Sequence, residues 1–172
     1  MLMIKRHAMA ILMLFQLPTG DRVVTYLLGT AIGEPALFLN AKQATYDITN
    51  SPGNALATTA TFSSTASVSG FDGIAFGVML DAGATTYTST TNGTTVDQSS
   101  SSSAGSVACL QFVSGVSVSS LVAKIQHSSD GGSWSDIITF STISANTTTD
   151  EILSMEGSVN RDVRVQYTLS GA

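Results

Sequence analysis

Side chains able to do chemistry are sparse in this chain of 172 residues, and they do not gather at any spacing that a reaction requires. His7 and His127 have no cysteine or carboxylate at metal-ligand spacing. His127 closes an apolar strand pattern and enters a turn, which predicts a surface or turn imidazole rather than a ligand or base. Asp150-Glu151 and Glu156 offer carboxylates for glycosidic chemistry or calcium. Their spacing defines neither, and no Asp-x-Asp-x-Asp run exists, so they read as solvated strand ends. Gly29-x-x-x-Gly33 lacks the lysine and the serine or threonine of a phosphate loop. The single cysteine, Cys109, excludes an internal disulfide and sits in Val107-Ala108-Cys109-Leu110-Gln111-Phe112, where it reads as a small buried hydrophobe.

One hairpin stands apart. Ser128-Ser129-Asp130-Gly131-Gly132-Ser133-Trp134 approaches the Ser-x-Asp-x-Gly-x-x-Trp hairpin of sialidases, but the tryptophan comes one residue early. Two readings follow. Either Asp130 caps its own turn and Trp134 packs beneath it, or Asp130 and Trp134 contact a glycan. Asn92-Gly93-Thr94 and Asn146-Thr147-Thr148 fit the glycosylation sequon, which has meaning only in a secreted eukaryotic protein. No catalytic apparatus, cofactor motif or metal-ligand set emerges, so the chain reads as a non-enzyme.

The elements that carry these residues are strands. Leu121, Ala123 and Ile125 alternate with Val122, Lys124 and Gln126, and Val163, Val165, Tyr167 and Leu169 alternate with Asp162, Arg164, Gln166 and Thr168. Trp134 opens a return strand through Ile137, Ile138 and Phe140. Further strands are predicted at Val23–Leu28, Ala36–Thr49, Leu56–Val68 and the apolar run Ile74–Leu80. Turns are predicted at Pro18–Asp21, Asn50–Asn54 and Ser69–Gly73, and Asn92-Gly93 is a hairpin-type pair. Lys5-Arg6-His7 ahead of the apolar run Ala8–Leu17 resembles the start of a signal peptide. No Ala-x-Ala site follows it, so a buried strand entering a turn is the expectation. That run is also too short for a membrane-spanning helix.

Apolar residues make up 43% of the chain and charged residues only 11%, so the surface must be covered by a partner or solvated by its many hydroxyls. A net charge of −5, with seven scattered Lys and Arg, argues against a grip on phosphate backbones. The predicted fold is all-β: an incomplete barrel or sandwich over residues 1–85, a Ser/Thr-rich linker over 86–106 that includes five consecutive serines, and a β-sandwich over 107–172.

Taken in order, several segments resemble the major tail (tail tube) proteins of long-tailed phages with flexible tails. They are Pro18–Asp21, Gly33–Ala36, Ala44–Ile48, Ser51-Pro52, Phe71–Leu80, Ser106–Gln111, Val122–Ile137 and Gly157–Val165. The resemblance implies a virion structural protein, assembled in the host cytoplasm, that binds copies of itself and other tail proteins. It implies hexameric rings stacked into a tube through which DNA passes without sequence-specific contact, with no membrane partner. The first domain would then be tube-like and the second an exterior β-sandwich tethered by the serine run. Members of that group carry further strands before the region matching Met1 and one more after Ala172. Relative to them the chain reads as shortened, with open edges that pair with other chains. Two other expectations stand beside this one: a decoration or glycan-adhesion module using Asp130 and Trp134, and a secreted protein with a Ser/Thr-rich stalk.

Overall fold

The computed structural model describes residues 22–49, 57–64, 73–83, 87–112, 119–144 and 149–171. The N-terminal apolar run, the turns at 18–21 and 50–54, most of the turn at 69–73 and the sequon at Asn146 lie outside them. The protein is all-β, as its alternating patterns predict.

The first sheet has β1 (Arg22–Leu27), β2 (Pro35–Thr49), β3 (Ala57–Ser64) and β4 (Ile74–Val78). β2 is its spine. β1 runs antiparallel along one edge, from Leu27↔Ala36 to Arg22↔Ala41. The other edge takes β4 opposite Pro35–Leu39 and β3 opposite Ala41–Thr49, with a bulge between Gln43 and Thr45. The β1–β2 turn closes on Glu34, whose carboxylate accepts the Ala31 N–H at 2.8 Å.

The rest of the chain forms β5 (Thr91–Asn92), β6 (Val96–Asp97), β7 (Ser106–Phe112), β8 (Ser120–Ser128), β9 (Ser135–Thr139), β10 (Ile143–Ser144), β11 (Thr149–Met155) and β12 (Asp162–Ser170). β8 and β12 pair over their whole shared length, Asp162↔Ser128 to Ser170↔Ser120. β9 and β10 flank β8, while β5 and β6 flank β12. Across this sheet lies the β7–β11 ribbon.

The alternation read in the sequence sets the core. Leu121 and Ala123 of β8 and Val165 and Tyr167 of β12 point inward with Ile138, Phe140 and Ile143, all buried, and Ala108, Leu110, Phe112, Leu153 and Met155 of the ribbon pack onto them. The large buried ones, such as Leu121, Ile138, Phe140, Ile143 and Val165, each contribute about 1.5–3 kcal/mol of transfer free energy. A second cluster, Val96, Val159 and Val163, receives Ile32 from the β1–β2 turn and Leu80 from the end of β4.

The stretch expected as a linker behaves differently. β5 and β6 do not pair with each other, so Asn92-Gly93 is not the tip of a hairpin; both strands run along β12. Gly93 donates to the Val165 carbonyl at 2.8 Å, and a Cβ there would meet Val165 Cγ1 at 2.6 Å, so the close approach admits only glycine. The serine run continues the same path. Ser102 and Val159 exchange backbone hydrogen bonds of 2.9 and 2.8 Å, and the Arg161 guanidinium holds Asp97. A strand edge asks for backbone donors and acceptors rather than apolar side chains, so a polar sequence can fill it.

Candidate functional site

Two surfaces differ from the remainder of the described protein. The first is one face of the β1–β2–β4 sheet. Register places Val24, Leu39 and Ile74 in one row and Tyr26, Leu37 and Phe76 in the next, all on the same side, with Val78 beyond them. The opposite side carries Val23, Ala75 and Met79, which are buried. This side is open across both rows: Phe76 is 77% exposed, Tyr26 59% and Ile74 53%. Among the described residues, every large hydrophobic side chain that is strongly exposed belongs to residues 26–28 or 74–78.

The two edges of this sheet are not alike. β4 pairs with β2 on one side, and no described strand takes its other side. Its sequence, Ile-Ala-Phe-Gly-Val, holds no charge and no proline of the kind that normally guards an edge. On the outer edge of β1, by contrast, side chains from the ribbon stop the backbone. Asp150 Oδ2 accepts the Val23 N–H at 3.3 Å, and Gln111 Nε2 donates to the Val23 carbonyl at 2.7 Å. Thr25 Oγ1 donates to Gln111 Oε1 at 2.6 Å and fixes the amide. Beside them, burial pushes the Cys109 thiol up to about 12, so it stays protonated and inert at neutral pH.

The second surface is the outer face of β8, β9 and β12, around the hairpin singled out in the sequence. Asp130 turns back into its own loop: Oδ1 accepts Ser128 Oγ–H at 2.8 Å and the N–H groups of Gly132 and Ser133 at 2.9 Å each. The backbone donors from Ser133 and Gly132 hold its carboxyl down to about 2. Gly131 takes φ = 70°, the left-handed conformation such a turn needs. Trp134 is half-buried, and its Nε1–H donates to the Gly131 carbonyl at 3.2 Å.

Asp130 and Trp134 therefore both make hydrogen bonds within the same loop. Trp134 instead meets Arg164, whose guanidinium carbon lies 4.0 Å from the ring centroid. Arg164 Nε donates to Gln126 Oε1 at 3.0 Å, Gln126 Nε2 donates to Asp136 Oδ1 at 2.7 Å, and Lys124 Nζ reaches Asp136 Oδ2 at 2.6 Å. The Lys124 and Gln126 bonds hold the Asp136 carboxyl below its usual range.

The other candidate residues take structural posts. His127 lies on the inner side of β8 and accepts the Asn160 N–H through Nδ1 at 3.0 Å, rather than standing free in the turn. Asp150 stops the β1 edge, while Glu151, on the opposite face of the ribbon, accepts the Ser141 N–H and Oγ–H at 2.8 and 2.9 Å. Glu156 is exposed after β11. Among the described residues no group of three or more His, Cys, Asp or Glu gathers as a metal site would, and no helix is long and apolar enough to cross a membrane.

Sequence reasoning missed Arg164 and Gln126. They lie 38 residues apart, and only the β8–β12 register makes them neighbours. Comparison with known protein families, curated proteins and solved structures finds no match to the chain.

Proposed function

We propose that the protein is a structural subunit that assembles with copies of itself, specifically a phage tail tube protein whose stacked rings, six subunits each, form a conduit for DNA within the virion. The observation that carries this reading is the pairing of an exposed apolar sheet face with an unguarded β4 edge, both in the region that resembles the tube domain. A lone soluble domain gains nothing from leaving Phe76, Ile74 and Tyr26 in water, whereas a neighbour seated on them buries that area and satisfies the strand edge. A repeated head-to-tail contact of this kind closes into rings or grows along an axis. The net charge of −5 suits a conduit that must release DNA. Other tail proteins would be its further partners.

Negative-stain electron microscopy with light scattering tests the reading on the purified chain. Rings or tubes with sixfold views are expected, and Phe76→Asp, at a side chain that supports no core, should abolish them while leaving a folded monomer. A wild-type chain that stays monomeric at high concentration would overturn the reading.

A further inference from the structure

Arg164 is unusual among the charged groups. Lys124 holds Asp136 and Arg161 holds Asp97, but Arg164 has no carboxylate within ion-pair distance among the described residues. Asp162, two residues away on the same face of β12, makes no ion pair with it. Only Nε of the guanidinium is committed, to Gln126; the two terminal nitrogens make no hydrogen bond among the described residues. A guanidinium keeps its charge in proteins, and this one is partly stripped of water, since burial lowers its pKa. Trp134 beneath and Gln126 beside it hold the planar fork in place, and Gln126 is itself fixed by Asp136. The result is a preorganised cation with its paired donors unspent, which is the geometry that receives a carboxylate bidentately.

We propose that Arg164, seated on Trp134, binds the carboxylate of an acidic sugar. The surroundings select among carboxylate sources. Gln166 supplies an amide, Thr168 and Ser170 supply hydroxyls along the same face of β12, and the nearby cation Lys124 is already paired. A neutral, hydrogen-bonding surface around one cation suits a hydroxyl-rich sugar bearing a single charge. An acidic peptide or a nucleic acid would call for a field of cations, which a chain of net charge −5 does not offer. This site lies on the C-terminal sheet and does not depend on the assembly reading.

Trp134 is the only tryptophan, so its fluorescence reports the site directly. The full chain would be titrated with a uronic-acid-containing hexasaccharide, with the same hexasaccharide after carboxyl reduction, and with oligoglutamate of equal charge. Saturable change with the acidic hexasaccharide is expected, weakened at least about tenfold by carboxyl reduction and by Arg164→Lys, which keeps the charge but loses the fork. Raised salt should weaken it further. Equal response to the reduced sugar, tighter binding of oligoglutamate, unchanged binding by Arg164→Lys, or no response to any probe would each overturn the proposal. Far-UV circular dichroism of the variant keeps loss of binding distinct from loss of fold.

Discussion

The β1–β4 sheet and the β7–β12 sandwich are built from equally apolar strands but use them in opposite ways. In the sandwich, Val163, Val165 and Tyr167 face a second layer and are buried, and the polar residues between them are tied into networks. In the first sheet, Ala75 and Met79 are buried while Ile74 and Phe76, of the same strand or its neighbourhood, stand in water. Burial in one region is completed within the chain. In the other it stops at one face, which is left open. Hydrophobicity alone does not separate the two; the presence of a covering layer does.

The contrast can be broken most forcefully by truncating one aromatic in each region. Phe140→Ala, in the sandwich core, should cost about 3–5 kcal/mol through lost transfer energy and an unfilled cavity, measured by urea unfolding. Phe76→Ala should cost well under about 1 kcal/mol in the monomer, since its side chain is already exposed. Comparable losses at both sites would mean that the first sheet is covered in the free chain.

A smaller effect sharpens how the regions are joined. Asp81, just past β4, accepts hydrogen bonds from Tyr87 Oη at 2.9 Å and from Tyr167 Oη of β12, and the two rings stack 4.7 Å apart. Burial, with Asp81 adding to it, keeps the Tyr167 hydroxyl protonated far above its usual range. Tyr167→Phe should cost about 1–2 kcal/mol. Hydrogen exchange should show the loss concentrated at residues 79–83 and along β12; a uniform change would deny the link.

The smallest expected effect is acid loosening of the hairpin. The Asp130 carboxyl is held at about 2 in the folded protein against a usual 3.8, so its contribution is present above the higher value and is lost as pH falls through the lower. Amide shifts of Gly132 and Ser133 should titrate together near pH 2, and Asp130→Asn should remove that step. A midpoint near 4 would mean that the turn does not use the carboxylate.

Much of the fold was legible in the sequence. Alternation fixed the inward faces of β8 and β12, and Asp130 with its glycines announced the turn. Three things were not legible, each for a physical reason. Ile74–Leu80 is apolar at every position but Gly77, and period alone cannot tell a strand covered on both faces from one covered on a single face. Thr149–Met155 mixes acids and aliphatics because both faces of the ribbon are partly occupied: Leu153 meets the sandwich core, and Asp150 meets β1. The serine run gains its order through backbone pairing with residues nearly sixty positions later, which composition does not record.

The side-chain stop on Val23 makes the two edges of the first sheet unequal for any assembly of the kind proposed. A ring requires two dissimilar edges, one from each neighbour. β4 stands ready, whereas β1 has its hydrogen-bonding groups at Val23 occupied by Asp150 and Gln111. If the proposed rings joined through this sheet, a strand arriving on β1 would have to displace the Asp150 and Gln111 side chains from Val23. Under the proposed assembly, an isolated copy would thus offer its β4 edge freely while its β1 edge stays capped at Val23.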